Sequence, residues 1–164
     1  MRATFVLGAL LTLTAAMVLG TAISAAQSKP DFSGEFVLNR PASTLSPSAE
    51  AFQSGTVRIE HRDAAFRYKA ELVAPTGPVR YEYELPSDGR EVTSTLQGAT
   101  SASTLRWDGD ALVLTSRIQR AGGEMVVSFR YELLDGGRRL RGVERIRGGG
   151  RDQDNVWIFD RVGK

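Results

Sequence analysis

The sequence predicts an all-β domain, an up-and-down antiparallel β-barrel of about ten strands. Three observations predict it. From Ser33 onward apolar and polar residues alternate with a period of two, the period of strands with one wet face. Turn signals rich in Gly and Asp recur roughly every ten residues, the rhythm of a sandwich or a barrel. No stretch carries the apolar spacing of a sustained amphipathic helix.

The first 26 residues read as a targeting segment and stand outside the fold. Arg2 is the single charge before Lys29, and an apolar run extends from Phe5 to Leu19. Small residues then lead to Ser24-Ala25-Ala26, which places cleavage between Ala26 and Gln27 and leaves a domain of 138 residues, 27–164. That chain is expected to be periplasmic or secreted, with no transmembrane span after cleavage. An uncleaved anchor is the competing reading, because Ala3 to Ala26 is long enough to cross a bilayer. With no Cys anywhere, a lipid-anchored lipoprotein is excluded.

The strands follow in order, starting near Gly34, Thr56, Ala65, Val79, Glu91, Ser101, Ala111, Glu124, Arg138 and Asn155. The clearest alternation runs from Glu124 to Leu133, with Met125, Val127, Phe129, Tyr131 and Leu133 on one face. Val79, Tyr81, Tyr83 and Leu85 share another face, as do Phe66, Tyr68, Ala70 and Leu72. Val57, Ile59 and His61 continue the pattern, and Leu112, Leu114 and Ile118 add a further apolar face. Asp108-Gly109, Ser87-Asp88-Gly89, Gly122-Gly123 and Asp135-Gly136-Gly137 are the turns, since Gly and Asp tolerate positive φ. The long departure is Asn39 to Gly55, where Ser46 to Phe52 has the composition of one short helical turn. Short connections make consecutive strands neighbours, and a sheet of that size exposes two edges unless it closes. A closed or nearly closed barrel removes them; a two-sheet sandwich is the competitor.

Composition narrows the function. The chain has 164 residues, 21 basic and 19 acidic side chains, one His and no Cys. Disulfides, thiol nucleophiles, iron–sulfur clusters and zinc ribbons are therefore excluded, and so are multi-histidine metal sites. A net charge of +2 gives no nucleic-acid footprint. Gly148-Gly149-Gly150 precedes neither Lys-Ser/Thr nor a helix, so it is no phosphate loop. The acids are scattered, and Asp108 and Asp110 read as turn residues rather than a catalytic pair. The expectation is a protein that is not an enzyme and uses no cofactor and no metal. A hydrolase or isomerase working through His61 ranks last.

Asp31-Phe32-Ser33-Gly34-Glu35-Phe36 followed by Leu38-Asn39 resembles the opening of small exported bacterial proteins of lipocalin-like type. Leu105-Arg106-Trp107-Asp108-Gly109-Asp110-Ala111-Leu112-Val113 is similar to their central hairpin, and Trp157-Ile158-Phe159-Asp160-Arg161 to their last strand. The resemblance spans nearly all of the mature chain and brings no activity with it. In lipocalins and fatty-acid-binding proteins, the calycins, it implies a Gly-x-Trp on the first strand; in lipocalins an Arg near the end of the barrel packs over that Trp. Here Gly34, Phe36 and Arg161 take those parts of the barrel closure. Phe36 in place of Trp keeps a face for a cation–π contact and loses the indole donor.

On this reading the chain holds a small apolar or amphipathic ligand inside the barrel without covalent chemistry. The candidate lining residues are Tyr68, Tyr81, Tyr83, Phe129 and Tyr131, with His61 and Glu144 as polar contacts; all could equally be ordinary core. His61 shares its strand's apolar face near a barrel mouth, or else is a strand-end His bonded to a turn. Glu144 shares its strand's apolar phase and would need a partner such as Arg161 or His61 if it points inward. It sits instead at a rim if a bulge beside Gly142 shifts the phase. Thr93 to Leu96 and Thr100 to Thr104 are short of large apolar groups, which suits a cavity if they face inward. The alternative is an envelope interaction module with a filled barrel, docking through Arg139, Arg141, Arg145 and Arg147 onto an anionic surface. Those four share one strand face, and pairing with acids across the strands explains them as well.

Overall fold

The computed structural model describes residues 28–96, 98–150 and 152–163; the expected targeting segment and its cleavage point lie outside them. Ten antiparallel strands form one sheet: β1 (Gly34–Leu38), β2 (Ser54–Arg62), β3 (Ala65–Ala74), β4 (Gly77–Pro86), β5 (Val92–Leu96), β6 (Ala99–Asp108), β7 (Ala111–Arg120), β8 (Gly123–Leu134), β9 (Arg139–Gly148) and β10 (Gln153–Arg161). Every start lies within two residues of the expected one. Among the described residues no helix is long and apolar enough to cross a membrane.

The strand order is β4-β3-β2-β1-β10-β9-β8-β7-β6-β5. Eight pairs of consecutive strands and the β1–β10 pairing carry the sheet almost round a full circle. The seam lies between β4 and β5, which share no ladder. At one end of the seam the chain stitches itself shut, with Gly89 N–H donating to the Leu105 carbonyl at 2.9 Å and Asp88 bridging to Arg106. The fold is therefore a nearly closed barrel, and the sandwich alternative falls away.

The connection from β1 to β2 crosses one mouth. Its 3-10 turn, Arg40–Ala42, is capped by the Asn39 side chain, which accepts from the Ala42 N–H. The expected helical turn is present: the N–H groups of Ala49 and Glu50 both donate to the Ser46 carbonyl, at 2.8 and 2.9 Å. It seats Ala49, 3% exposed, and rests Phe52 against Trp157 at a ring distance of 6.0 Å.

The other end is the closed one. It carries the β2–β3, β6–β7 and β8–β9 hairpins, with Phe32, fully buried, plugged in ahead of β1. Phe36, Phe66, Leu105, Leu112 and Leu140 are all 1% exposed or less. Burying such side chains contributes roughly 1.5–3 kcal/mol each, which lets a chain without disulfides hold together.

Outside, the alternation leaves a laced polar surface. Arg67 bonds Glu84, Lys69 lies 2.9 Å from Glu82 and Arg80 2.7 Å from Glu71, all across neighbouring strands. Three of the four arginines of β9, all but the exposed Arg145, behave the same way. Arg139 pairs with Asp135 and Asp160, Arg141 with Glu132 at 2.6 Å, and Arg147 with Asp154 at 2.7 Å.

Candidate functional site

The strand registers define rungs of inward side chains running across the wall from β6 to β10. One rung is Leu105, Leu114, Phe129, Glu144 and Asn155. The rung on its closed-end side is Trp107, Leu112, Tyr131, Gly142 and Trp157. The rung on its open-end side is Ser103, Ser116, Val127, Ile146 and Gln153. Burial falls off between them, with Phe129 and Glu144 on the first rung already partly accessible. Leu105, Leu112 and Asn155 are 0–1% exposed, whereas all five residues of the open-end rung stay partly accessible while pointing inward. Along this wall the inward side chains are packed toward one end and partly accessible toward the other, while Ala70 and Leu72 on β3 stay buried.

At the closed end Arg161 lies over the Phe36 ring, its guanidinium carbon 4.4 Å from the centroid. It also donates to the Ser33 carbonyl at 2.5 Å and the Gly137 carbonyl at 2.6 Å. Gly34, at φ +149°, makes room for it: a Cβ there would stand 2.1 Å from a guanidinium nitrogen. Two carbonyl bonds and a cation–π contact thus tie the first strand, the β8–β9 turn and the last strand together.

His61 also stands at this end and not at the open mouth. It is enclosed by Phe32, Phe66 and Trp107 at ring distances of 6.1, 5.7 and 5.6 Å. Its Nε2 is buried without a hydrogen-bond partner among the described residues, 3.9 Å from Asp63 Oδ1. Burial pulls its pKa below the usual value, against the opposing pull of Asp63 and Asp31. This His is walled off from the accessible half of the barrel.

The floor of the open half is aromatic. Tyr68 stacks on Tyr83 at 5.0 Å, and Phe129 stacks on Tyr131 at 5.3 Å. The Tyr83 hydroxyl donates to that of Tyr131 at 3.0 Å. Burial raises the pKa of Tyr68, Tyr83 and Tyr131 above the usual value, with Glu144 adding to the rise at Tyr68 and Tyr131. The hydroxyls therefore remain neutral hydrogen-bonding groups. Four of the five expected aromatics meet here; Tyr81, on the same face of β4, stands nearer the mouth and is 51% exposed.

Glu144 points inward at the edge of this floor, so no bulge at Gly142 shifts its phase. Its partners are not Arg161 or His61, both of which sit at the closed end. They are Asn155 Nδ2, donating at 2.7 Å, and Trp157 Nε1, donating at 2.9 Å, both to Oε2. Asn155 is held in turn by the Ser46 N–H, which donates to its Oδ1 at 2.6 Å. The connection over the mouth thus braces the carboxylate through one side chain.

Above the floor the wall is divided. Ile118, Met125, Val127 and Ile146 form an apolar side, while Ser101, Ser103 and Ser116 form a hydroxyl side. Ser103 and Ser116 bond each other at 2.7 Å, and Ser94 of β5 bonds Ser101 at 2.8 Å. The short-side-chain stretches of β5 and β6 thus present serines to the interior and leave space there.

Asn155, Trp157 and Ser46 went unassigned in the sequence. An Asn opening a strand looks like turn chemistry, and only the β9–β10 register shows it facing Glu144. Two surface concavities lie elsewhere. One, about 650 Å³, opens at the closed end beside Asp110, Glu132 and Arg161; the other, about 610 Å³, lies on the seam beside Ala65, Pro86 and Val92. Among the described residues no three His, Asp or Glu side chains converge as metal ligands.

No protein-family model matches the chain, and no curated protein matches it either. Solved structures do. Secretory abundant heat soluble protein 4 from Ramazzottius varieornatus superposes with a TM-score of 0.55 at 12% identity, over 84% of this chain and 100% of that one. Human cRBP IV superposes with a TM-score of 0.50 at 18% identity, over 81% of this chain and 99% of that one. These likenesses show the fold, a calycin-like ten-stranded barrel.

Proposed function

We propose that the chain is an exported binding protein that holds a small amphipathic ligand in the open half of its barrel, without covalent chemistry. The observation that carries this is the change of burial between adjacent rungs. Inward residues pass from 0–5% exposed at Leu105, Leu114 and Asn155, through partly accessible Phe129 and Glu144, to a rung of Ser103, Ser116, Val127, Ile146 and Gln153 on which none is buried. A filled barrel would bury both rungs alike. The ligand's apolar body would lie against Val127, Ile146 and Met125, and its head against the floor of tyrosine hydroxyls and Glu144. Each buried Å² of apolar surface would contribute roughly 25 cal/mol.

The calycin-like fold supports this reading, because such barrels enclose a lumen wide enough for one small ligand. The docking alternative is weaker: Arg139, Arg141 and Arg147 already face acids of the same chain. Export rests on the sequence of the first 26 residues.

Fluorescence of N-phenylnaphthylamine, a neutral apolar dye, tests the lumen directly. The folded chain should enhance its emission saturably, and Val127→Trp, which fills the lumen, should weaken binding by roughly tenfold or more. Unfolding curves on the same variant establish that it folds. Equal dye binding by a folded Val127→Trp variant would sink the lumen reading.

A further inference from the structure

The polar groups inside the open half have one sign, and this says what kind of head they receive. We propose that the lumen selects an amphipathic amine, its ammonium against Glu144 and its apolar tail toward the open mouth. The inference rests on the lumen reading above and names the ligand's class.

Glu144 is the one formally charged side chain on the inward face between the rung of Leu105 and the open rim, among the described residues. Both of its hydrogen bonds come from neutral donors, Asn155 and Trp157, and both fall on Oε2. Oε1 takes neither. A carboxylate held half-buried with one oxygen uncommitted is completed best by a donor that also brings positive charge. The surroundings favour the same head. Phe129 stands beside Glu144 on the next strand, stacked on Tyr131, and offers an aromatic face to a cation. Tyr68 and Tyr131, close enough for Glu144 to perturb them, keep neutral hydroxyls that accept hydrogen bonds.

An anionic head meets the opposite. No Arg or Lys of the described residues reaches this floor. Arg161 is committed to two carbonyls and the Phe36 ring at the closed end. Arg120 stands exposed at the open rim, six positions along β7 from Leu114 and so roughly 20 Å from the level of Glu144. A fatty-acid carboxylate placed on the floor would face Glu144 without a counter-charge. Bound with its head outward, it would forgo the polar floor altogether.

Displacement of N-phenylnaphthylamine by dodecylamine, dodecanol and dodecanoate near neutral pH, each below its aggregation range, decides the question. The tails are identical, so differences report the head. Dodecylamine should displace the dye at concentrations roughly ten- to hundredfold lower than dodecanoate, the worth of a hydrogen bond to a charged group. Glu144→Gln, which keeps an acceptor for Trp157 and Asn155, should abolish the preference for dodecylamine over dodecanol, each displacement being read against that variant's own affinity for the dye. Dodecanol matching dodecylamine on the unmodified chain overturns the inference, as does dodecanoate competing equally well. Those results leave the lumen reading standing. Absence of dye binding by the unmodified chain ends both.

Discussion

The two halves of the barrel are made from the same strands and differ in what their inward residues can do. In the closed half Phe32, Phe66, Leu105 and Leu112 interlock at 0% exposure and enclose a lone His. In the open half the same strands carry Ser, Val and Ile that remain in reach of water, above a floor of tyrosines and one carboxylate. The strand framework does not distinguish the halves; side-chain volume does. On the proposed function, stability belongs to one end and binding to the other, and substitutions should separate accordingly.

The largest expected effect comes from emptying the closed half. Phe66→Ala removes a fully buried ring that contacts Phe32, His61, Tyr83 and Tyr131, and should cost about 3–5 kcal/mol in denaturant unfolding. Val127→Ala in the open half should cost under about 1 kcal/mol, since its side chain is already partly accessible. Equal costs would erase the division between the halves.

A smaller effect tests how the closed end is tied. Gly34→Ala sets a Cβ against the Arg161 guanidinium and should destabilise by on the order of 2 kcal/mol. Arg161→Ala should cost a similar amount through its two lost carbonyl bonds and its ring contact. In the double variant the clash disappears with its partner, so its cost should be less than the sum of the two single-variant costs. Strict additivity would mean that the two residues act independently.

The smallest expected effect is a pH slope. The folded pKa of His61 lies below the ordinary 6.5, so the folded chain resists a proton that the unfolded chain accepts. Stability should be constant above about pH 6.5, fall as the pH drops below it, and level off beneath the folded pKa. The slope cannot exceed about 1.4 kcal/mol per pH unit for one proton. Asp31 and Asp63 have depressed values, so their contribution is present above the ordinary 3.8 and is lost only at lower pH. His61→Phe should remove the upper slope and keep the lower one. Unfolding free energies measured across both windows read this directly; an unchanged upper slope would assign it to another group.

Much of the barrel was legible because alternation and turn chemistry are local properties. The run from Met125 to Leu133 names its inward face by itself, and Asp108-Gly109 names its turn. The site was legible only in part. Tyr68, Tyr83, Phe129 and Tyr131 were picked out as inward aromatics and do converge, because facing registers bring one face of each strand together. Tyr81 obeys the same alternation and is still half exposed, since alternation assigns a face and says nothing of depth along the barrel. His61 likewise points inward at the end opposite to the mouth. Glu144 was recognised by its phase, but its partners depend on pairing with β10, to which the composition of β9 gives no clue.

What the sequence by itself determined was therefore the set of strands, the face each turns inward and the closure residues Gly34, Phe36 and Arg161 as candidates. These follow from a two-residue period and from the backbone freedom of particular turn residues, both readable one segment at a time. What only the tertiary structure decided was which end is filled, where the seam runs and which donors hold Glu144. Those depend on register across the sheet and on the volumes of side chains distant in the chain, such as Ser103 beside Ser116 or Phe32 against Trp107. Packing is a property of neighbours in space, and the neighbours exist only once the barrel has closed.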